Sequence, residues 1–384
     1  MPQQQQTSEL LYTPAKGTAL SDFVLEATKA ANPSPLITTE EASLLVAALE
    51  RSTRRVAAAL SRAGIDDRLG KARSGEEKEG TTTSSSSERD APKELDIVAN
   101  EILKGELAGT GIVGLLASEE DEEVVEVDGE GGGGGGQNPL PFVAVFDPLD
   151  GSSNIAACIP TGTIFGVYRR RRGDGNGGNG GGEDGSKVGE VLRPGKDLLL
   201  AGYSLYSSAT MLVLTLSGGD EYAGTHGFTL DRENGNEFVC THPRIRVPQR
   251  GQFYSLNDAR FDDWSPDLQR YITDVRSGKG RSQKQYAARY VCSLVADLHR
   301  TLLYGGWAGN PRSHLRRVYE AAPLAAVTAA AGGRATDGER SDVLEAVPES
   351  LHSRAPFFAG SSADIEELLG YGDVRQGGKK KYDC

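Results

Sequence analysis

The sequence predicts a layered α/β protein, and three observations carry that prediction. Segments with apolar residues at helical spacing alternate along the chain with short, continuous apolar runs bounded by turn residues. No run approaches the roughly 18 apolar residues of a membrane span. The composition, 38% hydrophobic and 25% charged over 384 residues, suits a water-facing chain long enough to bury a sizeable core.

The elements follow in chain order. The opening "MPQQQQTSELLYTPAKG" is polar, with no apolar signal core and no visible transit peptide. Residues 40–63 carry apolar positions at helical spacing. Thr39 is the expected N-cap, Glu40 and Glu41 suit the first turn, and Gly64 suits the C′ position. The polar stretch "RSGEEKEGTTTSSSSERDAP" cannot bury enough apolar surface to order itself. "KELDIVANEILKGEL" resumes the helical pattern, with Asp96 near its start.

Two buried strands come next. "GIVGLLASEED" ends in Glu119, Glu120 and Asp121, and "PFVAVFDPLD" ends in Asp147 and Asp150. Between them lies a glycine tract, 131–136, and a second low-complexity run follows the strand "TGTIFGVY". Neither is framed by a strand-to-helix transition, so both read as surface loops rather than nucleotide-binding turns. The run Arg169 to Arg172 reads as a solvated face. "DLLLAGYSLYSSATMLVLTL" and "HGFTL" are strand-rich. "YAARYVCSLVADLHRTLLYGG" has a short strand-like start and then a helix, and "YEAAPLAAVTAAAGG" is a helix closed by Gly332. "SSADIEELLGYG" is the last helix, with Ser361 as its expected cap.

The net charge of −12 argues against binding a nucleic-acid backbone, which calls for a basic patch. Cys158, Cys240, Cys292 and Cys384 are scattered and form no CxxC pair. They read as mostly buried thiols in a reducing compartment. His226, His242, His299 and His352 lack ligand spacing and read as surface or capping residues.

The strand ends carry the chemistry. Taken singly, "SEEDEE" and "DPLDG" are ordinary solvated acids and an ordinary turn. Together, carboxylates gathered at successive strand ends repel one another unless cations neutralise them. Hard oxygen donors of this kind suit Mg²⁺ or Mn²⁺. Gly151, Ser152 and Ser153 then offer backbone N–H groups and hydroxyls without bulk, a setting for an anion. Cations beside a phosphate cradle point to metal-assisted phosphate hydrolysis.

These residues resemble the fructose-1,6-bisphosphatase family. "LDIVANE", "ASEED", "FDPLDGSSNI", "GTIFGVY", "AGYSLYSSATMLVL", "FYSLND", "ARYVCSLVADLHRTLLYGG", "YEAAPLAAVTAAAGG" and "RAPFFAG" occur in one order from about Ser21. The combination is most similar to the second, redox-insensitive plastid type. The resemblance implies a layered α/β/α/β/α fold. It also implies a disordered segment over 1–20 and a metal and phosphatase domain over 21–245, with low-complexity loops at 72–90, 122–141 and 169–190. A substrate-binding domain over 246–384 completes the chain.

The resemblance also implies roles. Glu119, Glu120, Asp147, Asp150, Glu320 and the Leu149 carbonyl match the metal ligands. Asp96 with Glu120 matches the group that activates water, and Asp90 matches an acid that closes over the metals. Gly151, Ser152 and Arg316 match the site of the 1-phosphate, while Ser293 and Leu294 border the sugar. Asn257, Tyr290 and Arg289 match the 6-phosphate site, with Arg289 reaching in from a neighbouring subunit of a dimer or tetramer.

Departures are equally specific. Ala156 stands in place of an acid, and Arg260, Asn310 and His314 stand in place of two tyrosines and a lysine. Arginine remains a strong phosphate donor, so Arg260 and His314 are kept as substrate contacts. The family's AMP-binding segments and its light-regulated cysteines have no counterpart at 32–41, at Pro141 and Phe142, or in the glycine tract; Arg169 alone borders the remnant of the AMP site. The expected activity is Mg²⁺-dependent hydrolysis of the 1-phosphate of fructose 1,6-bisphosphate, with neither nucleic acid nor membrane as partner. The alternatives are sedoheptulose 1,7-bisphosphate as substrate, or a catalytically weak regulatory member. The expected compartment is the plastid stroma, with the cytoplasm as alternative.

Overall fold

The computed structural model describes residues 12–30, 36–66, 94–127, 139–171, 186–217, 224–339 and 342–376. Its first half contains α1 (Leu20–Ala30), α2 (Thr39–Arg62), α3 (Glu94–Ala108), β1 (Val113–Ser118), β2 (Val125–Glu126), β3 (Phe142–Asp150) and β4 (Thr161–Arg169). Then come β5 (Leu200–Tyr206), β6 (Thr210–Leu216), β7 (Thr225–Asp231) and β8 (Glu237–Ile245). The second half contains β9 (Phe253–Ser255), α4 (Pro266–Arg276), β10 (Ala287–Ala288), α5 (Leu294–Tyr304) and β11 (Trp307–Arg316). It closes with α6 (Ala322–Ala330), β12 (Arg334–Thr336), β13 (Arg354–Gly360) and α7 (Ser362–Gly370).

The strands form two sheets, ordered β2-β1-β3-β4-β5-β6-β7-β8 and β10-β9-β11-β13-β12. In β3 the side chains alternate between two cores, as the pleat requires. Phe142, Ala144 and Phe146 pack with Phe23, Leu45 and Leu49 of α1 and α2. Val143 and Val145 face the opposite way, toward Val295 of α5 and Leu324 of α6. Burial on both faces explains why the strand reads as an unbroken apolar run. On its far side the second sheet buries Tyr254, Trp307 and Phe358 against Tyr271 of α4 and Ile365 of α7.

The layers are therefore α/β/α/β/α, as expected. The central helices lie close to the strands because small residues allow it. A Cβ on Gly162 of β4 would stand 2.5 Å from Val295 of α5. Among the described residues no helix is long and apolar enough to cross a membrane.

Several local expectations are corrected. The N-cap of α2 is Thr38, because Glu41 returns the bond to the Thr38 backbone and completes a capping box. Ser361 occupies the cap position of α7 without capping it; its hydroxyl donates to Pro248 O and accepts from Gly306 N. Residues 12–20, inside the segment expected to be disordered, are tied to β8. The Gly17 N–H donates to the Cys240 carbonyl there, the Cys240 N–H donates to the Thr18 carbonyl, and Ala19 bridges Val239. The loop at 122–141 contains β2, which pairs with β1, while the glycine tract lies outside the described residues.

The arginine run is not a solvated face at its start. Arg169 pairs with Glu41 at 3.1 Å and lies over the Phe142 ring, and Arg170 pairs with the fully buried Glu190. Cys240 is buried, but Cys158 and Cys292 are exposed, against the expectation of mostly buried thiols. His226 is buried, its ring tilted against Phe23, and accepts from the Arg244 N–H.

Candidate active site

The site begins with register. β1 and β3 are parallel neighbours with Ser118 opposite Phe146, so both strands deliver their terminal acids to one edge. The Glu119 N–H bonds the Phe146 carbonyl at 3.2 Å, fixing Glu119 beside Asp147. Beyond Asp147, β3 bulges against β4: Asp147 faces Ile164, but Asp150 faces Gly162. A bulge of this kind re-aims side chains at a strand end. Thr163 Oγ1 holds the displaced Pro148 carbonyl at 2.8 Å, and Asp147 Oδ1 accepts from the Leu149 N–H at 2.9 Å.

Glu320 arrives from the other side. It sits in the single wide turn Arg317–Ala321 between β11 and α6, where the Arg316 N–H donates to its carboxylate at 2.6 Å. Donor oxygens of Glu119, Asp147 and Glu320 lie within 4.8 Å of one another. Arg316 Nη1 approaches Glu119 at 3.0 Å.

One arginine does not balance two buried acids and a half-buried third. Burial, then the charges of Glu119 and Glu320, push Asp147 well above the usual carboxylate range. Glu320 is driven the same way by burial and Glu119, and Glu119 rises through burial despite Arg316. Burial, with Asp96 and Glu119 nearby, pushes Glu120 up to about 7. Such a set is stable when a cation supplies the missing charge. Its donors are all oxygen, which fits a hard divalent ion.

Asp150 stands apart from that trio. Its carboxylate accepts from the Ser293 hydroxyl and from the N–H groups of Leu294 and Val295, at the N-terminus of α5. Gly151 follows with φ 75°, and a Cβ there would meet Ser293 Cβ at 2.9 Å, so glycine is required twice over. Asp96 and Asn100 lie buried on one face of α3, as i and i+4. Asn100 accepts from the Ser118 hydroxyl and donates to Asp121, bracing the end of β1.

These groups line one cleft of about 510 Å³. Of the expected site residues it collects Asp96, Glu119, Glu120, Asp147, Leu149, Asp150, Gly151, Ser152 and Ser153. It also collects Asn257, Arg260, Tyr290, Ser293, Leu294, His314, Arg316 and Glu320. Two are not brought in. Asp90 lies outside the described residues, and Arg289 is exposed beside the cleft, over the Phe253 ring and bonded to the Ala288 carbonyl.

Sequence reasoning missed Arg312, Cys292 and Asp297, which also line the cleft. Asp297 accepts from the Val291 N–H and pairs with Arg300 at 2.9 Å, so it braces the turn that presents Tyr290 and Ser293. Its place three residues into a capped helix was the available signal.

Comparison with known proteins agrees with this geometry. Residues 18–243 match the family described as "Fructose-1-6-bisphosphatase, N-terminal domain", and residues 247–372 match "Fructose-1-6-bisphosphatase, C-terminal domain". A chloroplastic fructose-1,6-bisphosphatase of Brassica napus is 37% identical, over 86% of this chain and 77% of its own length. A cytosolic fructose-1,6-bisphosphatase of Arabidopsis thaliana is 38% identical, over 72% of this chain and 75% of its own. The crystal structure of Leishmania major fructose-1,6-bisphosphatase in holo form superposes with a TM-score of 0.75 at 31% identity. That match covers 94% of this chain and all of the other.

Proposed function

The chain belongs to the fructose-1,6-bisphosphatase family, and we propose that the cleft described above performs that family's reaction with the residues it gathers. The enzyme hydrolyses the 1-phosphate of fructose 1,6-bisphosphate to fructose 6-phosphate and phosphate. The observation that carries the assignment of residues is the polarity of the cleft: carboxylates converge at one end, and Arg260, His314, Asn257 and Tyr290 stand at the other.

Glu119, Asp147 and Glu320, with Asp150, Glu120 and the Leu149 carbonyl beside them, are the residues to hold Mg²⁺, with Mn²⁺ as a substitute. A divalent ion held there would supply Lewis-acid chemistry, polarising the phosphate and lowering the pKa of a water. Asp96 and Glu120 take the proton of the attacking water, a task suited to carboxylates at the edge of the cation site. Gly151, Ser152 and Ser153 donate to the 1-phosphate, and Arg316 stabilises its charge. Ser293 and Leu294 border the sugar, and Asn257, Tyr290, Arg260 and His314 receive the 6-phosphate. Arg289 stands outside its own chain's cleft, which favours its use by a neighbouring subunit of a homo-oligomer.

The relatives are chloroplastic and cytosolic; the plastid stroma is the compartment proposed here. The test is kinetic. Fructose 1,6-bisphosphate and sedoheptulose 1,7-bisphosphate are assayed side by side with Mg²⁺, with Mn²⁺ and after chelation. Higher kcat/KM for the fructose ester, lost on chelation, is expected. Preference for the sedoheptulose ester, or full activity without a divalent ion, would overturn the reading.

A further inference from the structure

We propose that Arg312 binds the distal phosphate of the substrate and sets the preference for bisphosphates over monophosphates. The inference deepens the bisphosphatase reading above and rests on it.

Strand register places the residue. In the β11–β13 ladder Asn310 pairs with Phe357 and Leu315 with Ala355, so the residues between Asn310 and Leu315 leave the ladder. The Arg312 N–H donates to Asn310 Oδ1 at 3.1 Å, which closes the bulge into a tight turn. The turn carries Arg312 into the lining of the cleft, facing Arg260, Asn257 and Tyr290. Tyr290 and Arg312 also line the small recess beside Trp264 and Gln376, and the Arg312 charge opposes the rise that burial gives the Tyr290 hydroxyl.

Charge then separates Arg312 from the other arginines. Arg316 is paired with Glu119 at 3.0 Å, and Arg260 with Asp263 at 3.4 Å. Among the described residues, no carboxylate pairs with Arg312. Asp263 offsets the charge of Arg260, so Arg312 adds to this end of the cleft a positive charge that no described carboxylate offsets, as a phosphate dianion calls for. A planar guanidinium beside the neutral donors Asn257, Asn310 and Tyr290 suits the fork geometry of phosphate. A sugar monophosphate bound with its only phosphate at the acidic end leaves this charge unmatched, which makes the residue a discriminator.

The experiment compares Arg312→Ala and Arg312→Lys with wild type, after a thermal melt shows that each is folded. Fructose 6-phosphate carries only the distal phosphate, and its affinity is read by calorimetry. Losing a charge-assisted bond should weaken it about tenfold to a hundredfold in Arg312→Ala, with Arg312→Lys between. The ratio of kcat/KM for fructose 1,6-bisphosphate over fructose 1-phosphate should fall by a similar factor, mainly through KM. Equal losses on both esters, or unchanged fructose 6-phosphate binding, would overturn the proposal. Should wild type not hydrolyse the bisphosphate at all, the proposed function fails, while the calorimetry still decides the role of Arg312.

Discussion

The Ser293 hydroxyl donates to Asp150 Oδ2 at 2.7 Å, joining the end of β3 to the start of α5. Leu294 and Val295 add their N–H groups at 3.1 and 2.9 Å, so the carboxylate sits where the helix end favours negative charge. Ser293 also caps α5 by accepting from the Ala296 N–H. One hydroxyl thus holds both the start of α5 and an acid beside the Glu119, Asp147 and Glu320 trio.

Ser293→Ala should therefore act twice. Loss of the cap alone costs about 0.5–2 kcal/mol of stability, visible as a lower urea midpoint at unchanged slope. Freed of its donor, Asp150 should also weaken activation by Mg²⁺ and lower kcat. A variant with the lower midpoint but wild-type Mg²⁺ dependence would confine Ser293 to capping.

The acid trio makes opposite predictions with and without metal. Glu119→Gln, Asp147→Asn and Glu320→Gln should each lower turnover by several orders of magnitude in saturating Mg²⁺. After chelation, Glu320→Gln should melt at or above wild type, because it removes one of the buried like charges that oppose folding. Adding Mg²⁺ should raise the melting temperature of wild type far more than that of the variant. Equal shifts in both would remove Glu320 from the metal site.

The pH dependence of the metal-free protein follows from Glu120. Its folded pKa of about 7 lies above the value of 4.5 for the free side chain. Between those values the folded state binds more protons than the unfolded one, so stability falls as pH rises. A chelated sample should thus lose melting temperature from about pH 4.5 to 7, with a shallower slope in Glu120→Gln. A wild-type slope of opposite sign would contradict the burial that raises this group.

The layers and the acidic edge were legible because each rests on local pattern. Phe142 to Phe146 reads as a buried strand without knowledge of its neighbours, and Asp147 must follow it. What lay hidden depends on partners distant in the chain. β8 was missed because its exposed and half-buried positions, such as Glu237 and Thr241, give no clean alternation. Arg170 looked solvated because Glu190 returns to it from beyond a low-complexity tract. Arg312 went unread, since the bulge that admits it is set by pairing with β13.

The thiols supply the last prediction, and the structure sharpens it. The connection at 122–141 contains no cysteine, and Cys240 is buried with its thiol pushed up to about 11 by that burial. No switch resides there, so dithiol reduction should leave activity nearly unchanged. AMP should also have little effect, because Glu41 already occupies Arg169 and Pro141 has no N–H to donate. Cys292 is different. It is exposed, lines the cleft and accepts a contact from the Tyr290 hydroxyl at 3.2 Å. A bulky alkylating reagent there should block the cleft, so N-ethylmaleimide should inactivate the enzyme and fructose 6-phosphate should slow it. The residue also holds φ at 63°, a region that favours glycine. Cys292→Gly should therefore fold at least as stably as wild type while resisting the reagent, and Cys158→Ser should remain sensitive. Inactivation that persists in Cys292→Gly would move the reactive thiol elsewhere.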